Sequence, residues 1–302
     1  MEIDNLKQQY KKRDRLISAM SKDGLFRIAF LINTKTAAIA QEKHHLDYIS
    51  ASLLARQLSA SSLMVSFMKG EERIIIQSEG NGNISYIYSE AAQIGEVRGF
   101  VRHSKDYNPD KIDTYKAGLG IGLFKVSKAL YDQPKPITGI VPLIKGDMTN
   151  DLAYYLEQSD QIASFVVLEV DLNEEGLITF SSGLIVQAMP GASLQQIETL
   201  FDHLKGLDKL QSYFDKADNV DETLQSILPL EYTKLKSIPI DFFCRCSKDR
   251  FMEHLILIGK HEVLEMKKLN QNELVCQYCN NKYYLTPEDF KKLIDEITIM
   301  SN

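Results

Sequence analysis

The chain has 302 residues, of which 44% are hydrophobic and 25% charged, and its formal net charge at pH 7 is −6. This composition is typical of a globular protein and excludes a largely disordered chain, while the length allows one large domain or two to three small ones. The modest negative charge gives no reason to expect nucleic acid or an anionic membrane as a partner.

The start of the sequence and its apolar runs bear on where the protein works. Residues 1–7 are rich in charge and lack the apolar stretch of a signal peptide, and no run approaches the ~18 apolar residues of a membrane span. We therefore expect a protein of the reducing cytoplasm.

The first part of the chain combines strand-like and helix-like stretches. Residues 25–32 are apolar and β-prone and predict a strand, and leucines and isoleucines at helical spacing through residues 46–54 predict a helix. Two further β-prone runs, 72–77 and 84–88, flank an Asn-Gly step that favours a hairpin turn. The pattern predicts strand, helix and β-hairpin in that order.

Three closely spaced glycines, Gly118, Gly120 and Gly122, could expose backbone N–H groups to a phosphate. Their spacing does not match G-x-G-x-x-G, and no G-K-[ST] follows. We interpret them as a bend that leads into a strand at 123–126.

A helix with a capping side chain is predicted to begin near Thr149, with Asp151 in its first turn. Three β-prone runs follow, separated by turn-like residues at 173–176 and 181–183. These runs are 165–170, 177–180 and 184–188. Hairpins and helices in separate blocks indicate an α+β fold, with a mixed sheet-and-helix N-terminal domain, and exclude a doubly wound sheet.

Pro190-Gly191 marks the clearest boundary, and Ser193 with Gln196 forms a capping box for a new helix. The stripe of apolar residues that follows consists of Leu194, Ile197, Leu200, Phe201, Leu204, Leu207, Leu210, Phe214, Leu224, Ile227 and Leu228. Such a segment is too small to be stable alone, so its order must depend on what it contacts. We predict three parts: an N-terminal core domain (1–189), a metastable helical linker (190–237) and a C-terminal zinc-binding domain (238–302).

All four cysteines lie in the last part as two tight pairs, Cys244 with Cys246 and Cys276 with Cys279. Two thiols from each of two short turns suit a soft tetrahedral cation, and zinc is the leading candidate. Structural disulfides would require an oxidising compartment, and a purely structural zinc knuckle remains an alternative. His254 and His261 lie between the pairs as conceivable substitute ligands.

A single residue separates Cys244 from Cys246, so a disulfide between them would close a very small ring. Strain of this kind raises the reduction potential, so the bond should form only under strong oxidation and be easily reversed. This is the profile of a redox switch.

The region around these cysteines resembles the C-terminal zinc-switch domain of the redox-regulated chaperones of the heat-shock protein 33 family. The stretches that carry the resemblance there are Phe243-Cys244-Arg245-Cys246-Ser247, 258–259, 263–266, Cys276-Gln277-Tyr278-Cys279-Asn280 and Tyr283. Those upstream are 90–92, 95–100, 118–122, 151–155 and 158–161, so the resemblance covers essentially the whole chain. Asp160 departs from the family, where glutamate is expected.

The resemblance implies an ATP-independent holdase that binds unfolding client proteins under oxidative stress and is inactive when reduced and zinc-bound. It implies that Cys244 pairs with Cys246 and Cys276 with Cys279 on oxidation, which releases zinc and unfolds the linker. From the cysteines alone, three pairings remain open. It further implies a homodimer when oxidised, transfer of clients to ATP-dependent foldase chaperones, and no catalytic residue.

Energetics agree with such a switch, because structural zinc contributes an apparent ~10–16 kcal/mol to a small module, which is comparable to the ~5–15 kcal/mol of stability of a whole domain. Two other classes are weighed against it. A thiol-disulfide oxidoreductase would use Cys276 and Cys279, but these lack a βαβ setting and a helix N-terminus. A zinc-ribbon factor that binds nucleic acid would need a basic domain, whereas the charges of residues 238–302 nearly cancel.

Overall fold

The computed structural model describes residues 13–112 and 114–300, and its described part contains both sheets and helices. The chain divides into two compact units, the first ending at Phe243 and the second beginning at Cys244. The sheets are mainly antiparallel and the helices lie in separate blocks, so the predicted α+β class is confirmed.

A five-stranded antiparallel sheet forms one layer of the first unit, in the order β10-β1-β2-β9-β8. Its strands are β1 (Arg15–Ser21), β2 (Phe26–Ile32), β8 (Ser164–Leu172), β9 (Ile178–Ala188) and β10 (Tyr232–Pro239). The strand predicted at 25–32 is confirmed as β2, whereas β1 was not predicted. Since β10 pairs with β1, the end of the predicted helical linker is a strand.

The turn predicted at 181–183 is wrong, because β9 runs through it without a break. Ser181 and Ser182 are fully buried there. The Ser181 hydroxyl donates to Asn33 Oδ1 at 2.8 Å, and the Ser182 hydroxyl donates to the carbonyl of Leu31 at 2.9 Å. These partners satisfy the hydroxyls inside the protein, so residues that read as a turn in the sequence are tolerated in a central strand.

A six-stranded sheet forms the second layer, in the order β11-β5-β4-β3-β6-β7, antiparallel except for the β11–β5 pair. Its strands are β3 (Arg73–Gly80), β4 (Ile84–Ala92), β5 (Glu96–His103), β6 (Gly122–Ala129), β7 (Ile137–Pro142) and β11 (Asp241–Phe242). The hairpin predicted around Asn81-Gly82 is confirmed as β3 and β4.

The helices of this part are α1 (Thr34–His44), α2 (Tyr48–Val65), α3 (Tyr115–Leu119) and α4 (Thr149–Gln158), with a 3₁₀ helix at Pro109–Lys111. The α2 helix contacts strands of both sheets, and nearly all its side chains are buried. Asp47 caps α2 by accepting hydrogen bonds from the N–H groups of Ile49 and Ser50. The predicted helix is therefore the central element of the first unit and extends to Val65.

The glycine run forms the predicted bend between α3 and β6. Gly120 has a left-handed φ of 73°, and a Cβ on Gly122 would lie 1.8 Å from the carbonyl oxygen of Glu79. Glycine is needed here because the chain passes directly against the β3–β4 hairpin.

The α4 helix begins at Thr149 as predicted, and the capping side chain is that of the fully buried Asp151. Its carboxylate accepts hydrogen bonds from the backbone N–H groups of Ile144, Lys145 and Met148 at 2.7, 3.0 and 3.3 Å. One carboxylate thus fixes both the helix start and the loop before it.

Three short helices follow β9: α5 (Leu194–Lys205), α6 (Leu210–Lys216) and α7 (Val220–Ile227). The predicted capping box of Ser193 and Gln196 is confirmed at the start of α5. The apolar stripe packs on the five-stranded sheet, and the shared core includes Phe26, Ile28, Phe30, Phe180, Val186, Leu200, Leu204, Leu210 and Leu224. Leu194 lies outside this core, with 78% of its surface exposed.

The second unit consists of α8 (Lys248–Ile258), α9 (Lys260–Lys268), β12 (Glu273–Val275), β13 (Lys282–Tyr284) and α10 (Pro287–Met300). Thr286 and Asp289 cap the closing helix reciprocally. Its apolar core is small and comprises Met252, Val263, Leu274, Leu285, Phe290, Leu293 and Ile297.

Candidate metal centre

Two irregular segments carry the four cysteines. Cys244 and Cys246 lie in the extended stretch before α8, and Cys276 and Cys279 lie in the turn between β12 and β13. In this turn the carbonyl of Cys276 accepts hydrogen bonds from the N–H groups of Cys279 and Asn280 at 3.4 and 2.7 Å. Asn280 has a left-handed φ of 56°, a conformation that asparagine tolerates better than most residues.

The structure brings all four predicted ligands together, with their sulfur atoms within 4.8 Å of one another. The Sγ atoms of Cys244 and Cys276 are 3.7 Å apart, and those of Cys246 and Cys279 are 3.4 Å apart. Four sulfurs at about 2.3 Å from a tetrahedral zinc ion would be about 3.8 Å apart, and a disulfide would be about 2.05 Å. The four thiols are free, and their spacing fits a tetrahedral metal ion.

The conceivable substitute ligands do not take part in this cluster. His254 on α8 and His261 on α9 are both exposed and lie outside the group of four cysteines. The donor set is therefore all sulfur, which favours zinc over hard cations such as magnesium or calcium.

Without a cation the buried thiols hold their protons. The hydrogen bond with Cys244 and burial raise the pKa of Cys276 far above its ordinary value, and burial raises the pKa of Cys279 to about 11. A bound dication inverts this preference, because its charge stabilises the thiolates. Metal binding should consequently release protons.

Two further side chains hold the first cysteine pair in place. The hydroxyl of Tyr283 donates to the carbonyl of Cys246 at 3.0 Å and lies 3.2 Å from its Sγ, a contact that raises the pKa of Tyr283 to about 12. Arg250 donates from Nη1 to the carbonyl of Arg245 at 2.8 Å. Tyr283 carries part of the family resemblance but had no role assigned from the sequence, and Arg250 was not singled out.

No helix in the described ranges is long and apolar enough to cross a membrane.

Comparisons with known proteins agree with the site. A family model described as "Hsp33 protein" matches residues 14–286, a range that includes all four cysteines. The 33 kDa chaperonin of Streptococcus thermophilus is 32% identical over 293 residues, which is 94% of this chain and 100% of that protein. The 33 kDa chaperonin of Bacillus pumilus is 31% identical over 292 residues, with 94% and 99% of the two chains covered.

A solved structure shows the same fold. The crystal structure of the 33 kDa chaperonin (heat shock protein 33 homolog) of Thermotoga maritima matches with a TM-score of 0.84 at 24% identity, over 95% of this chain and 99% of that one. Because a family model covers most of the sequence and relatives above 30% identity are matched over their full length, the chain belongs to the Hsp33 protein family.

Proposed function

We propose that the protein is a chaperone that binds unfolding proteins without ATP, that zinc on its four thiolates keeps it inactive, and that oxidation activates it. The observation that carries the proposal is the cluster of four free thiols within 4.8 Å in a member of the Hsp33 family. Its matched relatives are named chaperonins, which supports the same class of function.

The switch would begin at the thiols. Two thiols that lose two electrons and two protons to a peroxide form one disulfide and leave water and an alcohol, or two waters. A disulfide no longer supplies thiolate ligands, so each closure removes two of the four donors. Cys244, Cys246, Cys276 and Cys279 thus hold the zinc when reduced and would release it when oxidised.

The pairing that the family implies is Cys244 with Cys246 and Cys276 with Cys279. In the reduced protein all four sulfurs lie within 4.8 Å of one another, and contacts across the pairs are as short as 3.7 Å for Cys244 with Cys276 and 3.4 Å for Cys246 with Cys279. The positions of the sulfurs in the reduced protein therefore do not favour disulfides within the two neighbouring pairs over disulfides between them. Since the ring closed by Cys244 and Cys246 is the more strained, we propose that Cys276 and Cys279 close first.

The client surface would come from the apolar stripe of α5 to α7. Leu200, Leu204 and Leu224 are buried on the five-stranded sheet, and an apolar surface of this size binds unfolded chains once exposed. We propose that activation loosens residues 193–228 from the sheet, that the oxidised form dimerises, and that ATP-dependent foldases take over the clients in the cytoplasm. The protein would turn over no substrate and would not be an enzyme.

Metal and thiol analysis tests this function directly. The reduced protein should contain one zinc per chain with four shielded thiols, and peroxide at elevated temperature should release the zinc and remove the thiols together. Suppression of the aggregation of a heat-denatured client should appear only after oxidation. A metal-free reduced protein that stays fully folded, or a reduced protein as active as the oxidised one, would refute the proposal.

Mass mapping of a partial oxidation series tests the order of closure, and a Cys244–Cys246 bond that appears first would contradict it. A variant with all four cysteines replaced by serine is the control for reactions of peroxide with other residues.

Catalytic turnover of a dithiol substrate would instead favour an oxidoreductase. Reactive thiols have lowered pKa values, whereas those of Cys276 and Cys279 are raised.

A further inference from the structure

A cavity of about 280 Å³ lies in the first unit at the carboxyl end of α2. It is lined by residues of both sheets, from β2 and β9 on one side and from β3 and β6 on the other, and by the end of α4. Its volume is just below the usual range of about 300–1,000 Å³ for small-molecule sites, so only a small ligand fits. The metal centre uses none of its residues.

The walls of the cavity are mostly apolar. They include Met64, Phe67, Met68, Ile74, Leu156 and Ile185. Two methionines and an aromatic ring form an adaptable surface, because the methionine side chain is flexible and polarisable.

One guanidinium group enters this apolar space in a fixed orientation. Arg27 on β2 donates from Nε to Gln187 Oε1 at 2.7 Å, and Gln187 in turn donates to the hydroxyl of Ser164 at 3.0 Å. The guanidinium carbon lies 4.5 Å from the centre of the Phe67 ring. One edge and one face of the group are thus occupied, and its orientation is set before any ligand arrives.

The two Nη groups of Arg27 form no hydrogen bond within residues 13–112 and 114–300. Arg27 is half-buried, and burial lowers the pKa of its guanidinium below the ordinary value. The nearby carboxylate of Asp160 offsets this effect of burial only in part, and an anion that accepts from both Nη groups would stabilise the charge further.

The other charges of the cavity are already paired or lie at its rim. Lys128 donates to both carboxylate oxygens of Asp160, at 2.8 and 2.7 Å. At the rim, Glu72 accepts from the backbone N–H of Lys69 at 2.7 Å, and the Lys69 side chain is exposed. The three cations and two anions of the lining leave one positive charge in excess, so a single negative charge is complementary.

We propose that this cavity binds a small monocarboxylate with an apolar body, whose carboxylate accepts from the Nη groups of Arg27 and whose body packs on Met64, Phe67 and Met68. The bidentate fork of the guanidinium suits a carboxylate, and the apolar walls disfavour a fully hydrophilic anion such as sulfate. The site would give the chain a second ligand besides its metal.

The first test is calorimetric titration of the full-length, reduced, zinc-loaded protein with octanoate. Octan-1-ol tests the need for the charge and acetate the need for the apolar body, and both should bind at least about tenfold more weakly. Arg27→Gln keeps a partner for Gln187 and should weaken octanoate binding by at least about tenfold. Arg73→Gln is the matched control, since Arg73 lies outside the cavity and its partner Glu90 keeps Arg98.

A second measurement does not depend on how well the variants fold. In wild-type protein labelled on the methionine methyl groups, octanoate should shift the signals of Met64 and Met68 and leave that of Met252 in the second unit unchanged. Octanol binding as tight as octanoate, equal octanoate affinity in Arg27→Gln, or unshifted Met64 and Met68 signals at saturating octanoate would each overturn the proposal.

Discussion

The two units of the chain are stabilised by different means. In the first, helices pack on both faces of the five-stranded sheet, and side chains such as Ile28, Leu58 and Phe124 are wholly buried. In the second, a few apolar side chains around Leu293 form the core, and the four cysteines form a second cluster beside it. A unit this small gains little stability from apolar burial, so we expect a metal ion on the four cysteines to decide whether it folds. This difference predicts that loss of the metal unfolds the second unit and leaves the first unit folded.

The largest expected effect comes from removing a ligand. Cys276→Ser should abolish the folding of residues 244–300, because an apparent ~10–16 kcal/mol of metal binding is coupled to it. Hydrogen exchange should become fast throughout that unit and remain slow in α2 and β9. Gln277→Ser, at an exposed position between the two ligands, is the control. Equal loss of hydrogen-exchange protection in both units would show that the first unit depends on the metal as much as the second.

The second prediction concerns the small core. Leu293 is fully buried in it, and Leu293→Ala should cost about 2–5 kcal/mol. Where folding and metal binding are one event, this cost should appear as a roughly 30-fold or greater loss of apparent zinc affinity in a competition assay. Leu257→Ala on α8, where 78% of the leucine surface is exposed, should leave the affinity unchanged. An unchanged zinc affinity in Leu293→Ala would show that folding of the second unit and metal binding are not coupled.

The third prediction applies the same truncation to the first unit. Leu204 lies on the buried face of α5 and is only 2% exposed. Leu204→Ala should destabilise residues 193–228 by about 2–5 kcal/mol without changing zinc affinity. Hydrogen exchange over residues 193–228 should rise, and the reduced, zinc-loaded variant should suppress client aggregation. Leu194→Ala, an exposed leucine on the same helix, is the control. Faster exchange without a gain in chaperone activity would place client binding elsewhere.

The smallest effect concerns charge in the first unit. Burial alone would raise the pKa of Glu90, but its hydrogen bonds with Arg98 at 2.6 Å and Arg73 at 3.1 Å outweigh it and hold the pKa below the ordinary value. A carboxylate with a lowered pKa stabilises the fold above its unfolded pKa, and this contribution is lost as the pH falls through the folded pKa.

Glu90→Gln should therefore cost about 1.5–3 kcal/mol at pH 7, and the difference from wild type should shrink as the pH falls below about 4.3. Denaturant unfolding followed at several pH values checks this, with Glu157→Gln at an exposed position of α4 as the control. If the difference in unfolding free energy between wild type and Glu90→Gln does not change with pH, the lost stability comes from packing and not from the charge of Glu90.

Features with a local chemical cause could be predicted from the sequence. The Asn81-Gly82 turn, the capping box of Ser193 and Gln196 and the four-cysteine cluster each depend on a few residues at fixed spacing. The α2 helix was found by its periodicity, although its polar serines gave no sign that it lies buried between two sheets.

Features that depend on distant partners could not be predicted. Ser181 and Ser182 sit in a strand because Asn33 and Leu31 accept their hydrogen bonds. Likewise, β1 and β10 pair across more than 200 residues of sequence, and the cavity around Arg27 is assembled from six helices and strands. Contacts formed only in the folded protein, such as that of Arg250 with the carbonyl of Arg245, leave little trace in a single sequence.

The way in which α5 to α7 are inserted in the chain has a kinetic consequence. The segment lies between β9 and β10, and both strands are hydrogen-bonded into the same five-stranded sheet. If residues 189–231 melt while the sheet persists, they become a closed loop whose two ends stay fixed. The entropic cost of holding the two ends of a loop together rises by only about 0.6 kcal/mol for each doubling of its length. Fixing both ends of this segment in the sheet therefore adds little to the free energy needed to melt it. The melted segment cannot diffuse away from its docking surface, and its return is a first-order step that does not slow when the protein is dilute.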